Sequence, residues 1–192
     1  MATAVDAVPR RCCRAHGHVP ASPSSEHLVI RPIRSSDARA LERFYAELDP
    51  DSRRARFFAM TSGVSHRQAV SFCTPDHDHR EGFVAEALGS VHARRRIVGH
   101  LCIEPLDART AEVAIAVADG YRGRGIGRRL MVAGVEWARA AGIAAFTATM
   151  FATNLPIQRL LRGLHLPVRV GYPEPDLSSI TIDLTPPSPI AA

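Results

Sequence analysis

Residues 110–130 read TAEVAIAVADGYRGRGIGRRL, and the period of their apolar positions changes halfway through. From Glu112 to Ala118 the alternation puts Val113, Ile115 and Val117 on one face and Glu112, Ala114, Ala116 and Ala118 on the other, which is the two-residue period of a strand. One face is bulky; the other is small and carries a single acid. Beyond the turn, Ile126, Leu130, Ala133, Gly134, Trp137 and Ala141 recur at helical spacing, with Arg128, Arg129, Glu136 and Arg139 outside the stripe. Between strand and helix lie Gly123, Gly125 and Gly127, which free the backbone to turn tightly and leave its N–H groups bare. A helix N-terminus that follows such a turn favours an anion such as a pyrophosphate, through its unpaired N–H groups and the positive end of its dipole.

Spacing narrows the choice of nucleotide-binding turn. Gly123 and Gly125 are followed by Arg128, so the dinucleotide fingerprint G-x-G-x-x-G is not met. A Walker loop needs a lysine, and all 24 Lys and Arg positions are arginine. What remains is R-x-x-G-x-G, from Arg122 through Gly125 to Gly127.

The totals fit one domain: 192 residues with 46% hydrophobic content supply a single full core. A net charge of +5 weakly favours acidic ligands. Cys12, Cys13, Cys73 and Cys102 form neither a disulfide ladder nor a C-x-x-C pair, which points to a reducing compartment, the cytoplasm. No apolar run approaches the ~20 residues that span a membrane, and no signal segment is read at the N-terminus.

Along the chain, residues 1–26 have no lasting periodicity and are expected to form a disordered basic arm; without aromatic residues to stack on bases, it is not expected to bind nucleic acid. Its Cys12, Cys13, His16 and His18 lack zinc spacing. HLVIRPIR from His27 reads as an edge strand, followed by helices from Ser35 or Ser36 to Leu48, Pro50 to Phe58 and Ser65 to Cys73. Asp76 to Arg80 is expected to be a polar loop; His77 and His79 share a face of an extended segment there, but no metal is expected. Strands follow at Gly82 to Ala87, Ile97 to Glu104, Glu112 to Ala118 and Ile143 to Phe151. Asn154 caps a further helix lined by Ile157, Leu160, Leu161 and Leu164, and strands at Pro167 to Tyr172 and Ser178 to Leu184 precede a flexible Pro-rich tail, residues 185–192.

The loop R-x-x-G-x-G behind an acid-bearing strand resembles the signature of the GNAT superfamily of N-acetyltransferases. The opening I-R-P-I-R-x-S-D-A followed by L-D-P-D-S-R-x-x-R-F-F resembles the branch that includes the acetyltransferase domain of bacterial Pat-type protein lysine acetyltransferases. The resemblance covers His27 to Leu184 and implies an α/β (α+β) fold with a central mixed, mostly antiparallel sheet of six or seven strands flanked by helices. It implies acetyl-CoA as cosubstrate, no metal, and a primary amine as acceptor, a protein lysine in the Pat-like branch. In that branch Glu112 is the catalytic base, and its place on the small face leaves room for a ligand; partial burial is expected to raise its pKa. Backbone at Ile115, Ala116 and Val117 runs beside the pantetheine arm. Gly123 shapes the loop, amides from Gly125, Ile126, Gly127 and Arg128 meet the pyrophosphate, and Arg122 and Arg124 add charge. Asn154 matches a family asparagine that contacts CoA, a position that N-capping explains equally.

Two departures stand out. The family tyrosine that protonates the leaving thiolate falls at Leu161, and the usual L-G-F that ends this helix is Leu164-His165-Leu166, which removes the glycine of an easy left-handed cap. A small-molecule amine acetyltransferase and a non-catalytic acyl-CoA-binding sensory module are the alternative readings. The oligomeric state, monomer or homodimer, stays open.

Overall fold

The computed structural model describes residues 27–89 and 95–185. The basic arm, most of the Pro-rich tail and residues 90–94 of the arginine turn lie outside the described residues. The element order is β1 (His27–Pro32), α1 (Ala38–Glu47), α2 (Pro50–Phe57), α3 (His66–Phe72), β2 (Glu81–Leu88), β3 (Arg96–Pro105), β4 (Thr110–Val117), α4 (Ile126–Ala140), β5 (Ala145–Phe151), α5 (Leu155–Gly163), β6 (Val168–Glu174) and β7 (Leu177–Asp183). The strands form one seven-stranded sheet in the order β1-β2-β3-β4-β5-β7-β6. Every neighbouring pair is antiparallel except β4 with β5, so the expected mixed, mostly antiparallel sheet is found.

The alternation read in the 110s sorts the two layers. Val113 lies in the larger core with Leu101, Ile103, Leu130 and Phe146, and Ile115 and Val117 pack against it; α4 covers this face. Cross-strand partners share a face in an antiparallel pair, so the register Glu104↔Glu112, Cys102↔Ala114 and His100↔Ala116 assembles the opposite, small face. Leu41, Phe44 and Tyr45 of α1, and Leu48 just beyond it, bury themselves on that side with Val84 and Ile97, each full burial of a large apolar side chain being worth ~1.5–3 kcal/mol. Arg31 fastens the sheet edge below α1: its guanidinium donates to both Asp37 oxygens (2.7 and 2.9 Å) and to Glu86 (3.2 Å).

Under α1 sits an unusual core group. His100 is fully buried and shares a 2.8 Å hydrogen bond with the Tyr45 hydroxyl through Nδ1, while its buried Nε2 has no partner among the described residues. Burial, and then the charge of Arg56, push the His100 pKa down to about 3, so the ring is neutral in the fold. Burial likewise pushes the Tyr45 phenol up to about 12, against the opposing charge of Arg56.

The altered helix ending keeps its shape at a cost. His165 takes up the left-handed conformation, φ 54°, that glycine usually supplies beyond a helix end. Its side chain is exposed, so few contacts offset the strain. His165→Gly is therefore expected to stabilise the fold by about 1 kcal/mol, read as a higher urea midpoint with unchanged slope.

His100 gives a second expectation. In the unfolded chain it titrates near 6.5; between that pH and about 3 the unfolded state holds a proton that the native state does not. Its contribution to stability is thus present at neutral pH and declines as pH falls below 6.5, reaching a loss of about 2 kcal/mol at pH 5. Urea unfolding at pH 7.5 and 5.0 should show this loss in the wild type and not in His100→Gln.

Candidate functional site

The parallel junction defines the site. β4 and β5 pair over only three rungs, Thr110↔Ala145, Ala111↔Phe146 and Glu112↔Thr147. Beyond them β4 continues to Val117 and β5 to Phe151 without pairing to each other. The β4 backbone from Val113 to Val117 therefore faces an opening with its polar groups available on that edge. Because the strands are parallel, both continue toward the same end of the sheet, and there each leads into a helix: β4 into α4, β5 into α5. Two helix N-termini thus stand at the opening, where anions are favoured. The predicted Ile115, Ala116 and Val117 lie along the open edge.

The loop between β4 and α4 has the predicted glycine geometry. Gly123 and Gly125 both have φ +74°, and a Cβ at either position would meet nothing within 4 Å; glycine is required there by backbone conformation, not by crowding. Ile126 opens α4 with its side chain buried in the core, 1% exposed, so only its amide is available to a ligand. The loop's arginines point differently. Arg124 donates to the Gly120 carbonyl (3.0 Å) with its guanidinium 4.7 Å over the Tyr121 ring, and Arg128 is exposed on the first turn of α4. Arg122, expected to face the pyrophosphate, donates to the Ser52 hydroxyl (2.6 Å) and pairs with Asp119 (2.8 Å).

Glu112 stands at the fork itself, the last residue of β4 paired to β5. The partial burial expected of it is not found: Glu112 is exposed. Its neighbours explain this, since the helical layer covers the small face at His100 and Ala116 and leaves the end near the β3–β4 hairpin open. Across the strand pair from Glu112 lies Glu104, which is taken up by Arg80 through two bonds of 2.5 and 2.8 Å. Glu112 has no ion pair within 4 Å among the described residues, neither with Arg109 nor with another cation.

α2 forms the wall over the small face. Arg56 reaches from it to donate to the Cys102 sulfur (3.1 Å), with its Nε buried and unpartnered among the described residues. Burial disfavours its charge, but Tyr45, Cys102 and Glu112 more than offset this and raise its pKa. Arg54 lies 4.8 Å over the Phe151 ring, and Phe58 packs on the same ring at 5.3 Å, so the far end of α2 touches β5 beyond the fork. Ser52 of α2 meets Asp119 and Arg122 of the loop, a grouping whose one signal in the sequence is the acid three residues before Arg122.

Asn154 caps α5 by accepting from the Ile157 amide at 3.3 Å. Leu161 lines an apolar cavity of about 380 Å³ between α5 and the β5–β7–β6 strands. In the polar loop, Asp76 accepts three backbone N–H groups, at 3.0, 2.8 and 2.8 Å, and His77 bonds to Glu81 at 3.0 Å. Among the described residues no group of three or more His, Cys, Asp or Glu side chains is placed to hold a metal, and no helix is long and apolar enough to cross a membrane.

Known proteins are similar to this chain in sequence and in fold. The chain is 29% identical over 144 residues to acetyltransferase Pat of Mycolicibacterium smegmatis, covering 73% of this chain and 41% of that protein; it thus spans less than half the length of this relative. It is 28% identical over 160 residues to acetyltransferase PA5475 of Pseudomonas aeruginosa, covering 81% of this chain and 82% of the relative. Among solved structures, the GNAT domain of S. lividans PAT superposes with a TM-score of 0.71 at 23% identity, covering 84% of this chain and 98% of that one. The structure of yncA from Salmonella typhimurium with its cofactor acetyl-CoA superposes with a TM-score of 0.65 at 18% identity, covering 85% and 96%. The family model described as the acetyltransferase (GNAT) family matches residues 39–165, a span that includes the forked strands, the glycine loop and both helix N-termini, and the chain belongs to that family.

Proposed function

We propose that this chain transfers the acetyl group of acetyl-CoA directly to a primary amine, with Glu112 as the general base. The observation that carries this reading is the fork: β4 and β5 part immediately after Glu112 and Thr147, which sets a carboxylate at the closed end of an opening whose far end holds two helix N-termini. The pyrophosphate of acetyl-CoA would sit on the amides of Gly125, Ile126, Gly127 and Arg128, shaped by Gly123, with Arg124 adding charge and Asn154 at the second helix. The pantetheine arm would run along the open β4 edge at Ile115, Ala116 and Val117, as an added strand. The catalytic unit is taken as residues 27–184, and the cytoplasm, where acetyl-CoA is available, as its compartment.

The chemistry follows from what faces the opening. An acceptor ammonium gives its proton to Glu112, directly or through a water, because only the neutral amine has a lone pair to attack with. The amine then forms a C–N bond to the thioester carbonyl as the C–S bond breaks. A backbone N–H on the open β4 edge supplies a donor to the carbonyl oxygen as charge grows on it. Leu161 offers no proton, so the departing thiolate takes one from water or from the acceptor nitrogen. Similarity to a Pat acetyltransferase over 73% of the chain, with the Pat-like opening motif, supports a protein lysine as the acceptor.

Thiol release from acetyl-CoA, with a lysine-rich protein and a pool of small amines as acceptors, tests the reading. Glu112→Gln is expected to lower acceptor-dependent release ~100-fold while acetyl-CoA affinity stays unchanged. Release that survives the substitution would keep the transfer and reject the base. Acetyl-CoA binding without release from the wild type in any acceptor would favour the sensory module instead.

A further inference from the structure

None of the eight residues of α2 is fully buried; Phe57, at its C-terminal end, is partly buried against the α1 core with its ring 5.1 Å from Tyr45. Polar contacts hold the rest of the helix. Toward its C-terminal end these are the Arg54 and Arg56 contacts described above; in its middle, Arg53 donates to the Thr61 and Ala46 carbonyls (2.9 and 3.1 Å) and to the Leu48 carbonyl. At its N-terminus, Asp119 of the glycine loop accepts from the Asp49 amide (2.8 Å) and the Ser52 hydroxyl (2.7 Å). A carboxylate at this end of a helix meets unpaired N–H groups and the positive end of the dipole. Arg122 closes the arrangement by touching Ser52 and Asp119 together, at 2.6 and 2.8 Å.

Turning the Arg122 guanidinium toward a phosphate would give up both contacts. It would also part the Asp119 carboxylate from the cation paired with it at 2.8 Å and set it beside a second anion. Asp119 itself is held below its ordinary pKa: burial acts against its charge, and the Asp49 amide, the Ser52 hydroxyl and Arg122 outweigh it.

We infer that Arg122 is a positioning residue and not a pyrophosphate ligand: with Asp119 and Ser52 it ties α2 to the glycine loop, so that acetyl-CoA on the loop amides steadies the wall facing the acceptor. The inference rests on the proposed acetyl-CoA site. Order gained by the loop on binding passes through three short hydrogen bonds, from the Asp49 amide and the Ser52 hydroxyl to Asp119 and from Arg122 to Ser52, into the first turn of α2, beside the Arg53 bonds that hold the same helix to the end of α1.

Hydrogen exchange with and without acetyl-CoA, together with calorimetric affinity, tests this on the full chain. In the wild type, acetyl-CoA is expected to slow amide exchange in residues 50–57 about fivefold or more. Ser52→Ala and Arg122→Ala should each bind acetyl-CoA within about threefold of the wild-type Kd but lose the α2 response, while exchange in α4 shows that both variants are folded. Arg122→Gln, which keeps a donor for Asp119, should restore the response. A tenfold weaker Kd in Arg122→Ala, or an α2 response in Ser52→Ala equal to the wild type, overturns the inference. If the wild type binds no acetyl-CoA, the proposed function falls first, and the tie is then decided in ligand-free protein: unchanged α2 exchange in Ser52→Ala rejects it.

Discussion

The three rungs that join β4 to β5 are the constraint on which the rest of the molecule depends. Among the described residues they are the only parallel pairing in the sheet, and they hold together a β1–β4 half and a β5–β7–β6 half that are each antiparallel. A longer junction would close the sheet and saturate the β4 backbone; a shorter one would leave the halves joined mainly by α4 and its loops. At three rungs the sheet remains continuous at one end and open at the other. The opening is therefore lined by backbone groups that lack strand partners yet are held rigidly by β3, a combination suited to an extended ligand that brings its own amides.

Both helix termini at the opening follow from the same junction. Parallel strands bring their C-terminal ends together, and each strand here is followed by a helix, so the dipoles of α4 and α5 converge on one place without any special sequence device. The glycines then act locally. Gly123 and Gly125 hold a positive φ that lets the chain reverse from the end of β4 into α4 while leaving the amides uncovered.

Much of this was legible in the residues because it is periodic or local. The bulky and small faces of β4, the positive-φ glycines, the Asn154 cap and the element order all follow from nearest-neighbour chemistry, and the structure bears each of them out. What escaped the reading depends on contacts far apart in sequence. Glu112 is exposed because the helical layer ends before reaching it, which no spacing within the strand encodes. Arg122 meets Ser52 across 70 positions, and Arg56 meets Cys102 across 46; neither partner can be read from the element that carries the arginine. His165 shows the converse: a residue that argues against a left-handed turn occupies one anyway, because the surrounding helix and strand fix the path of the chain.

The absence of buried residues in α2 has a consequence for how such a molecule diversifies. Core positions resist substitution because each change leaves a void or a clash, whereas α2 hangs on Phe57 and a few polar contacts. Stability is lodged in the sheet and α1, α3 and α4, and the wall beside the opening is lodged in a thinly anchored helix. Residues such as Asp51 and Ala55 can be exchanged there with little effect on whether the protein folds. One scaffold can in this way be refitted for acceptors of different size and charge while the donor side stays as it is.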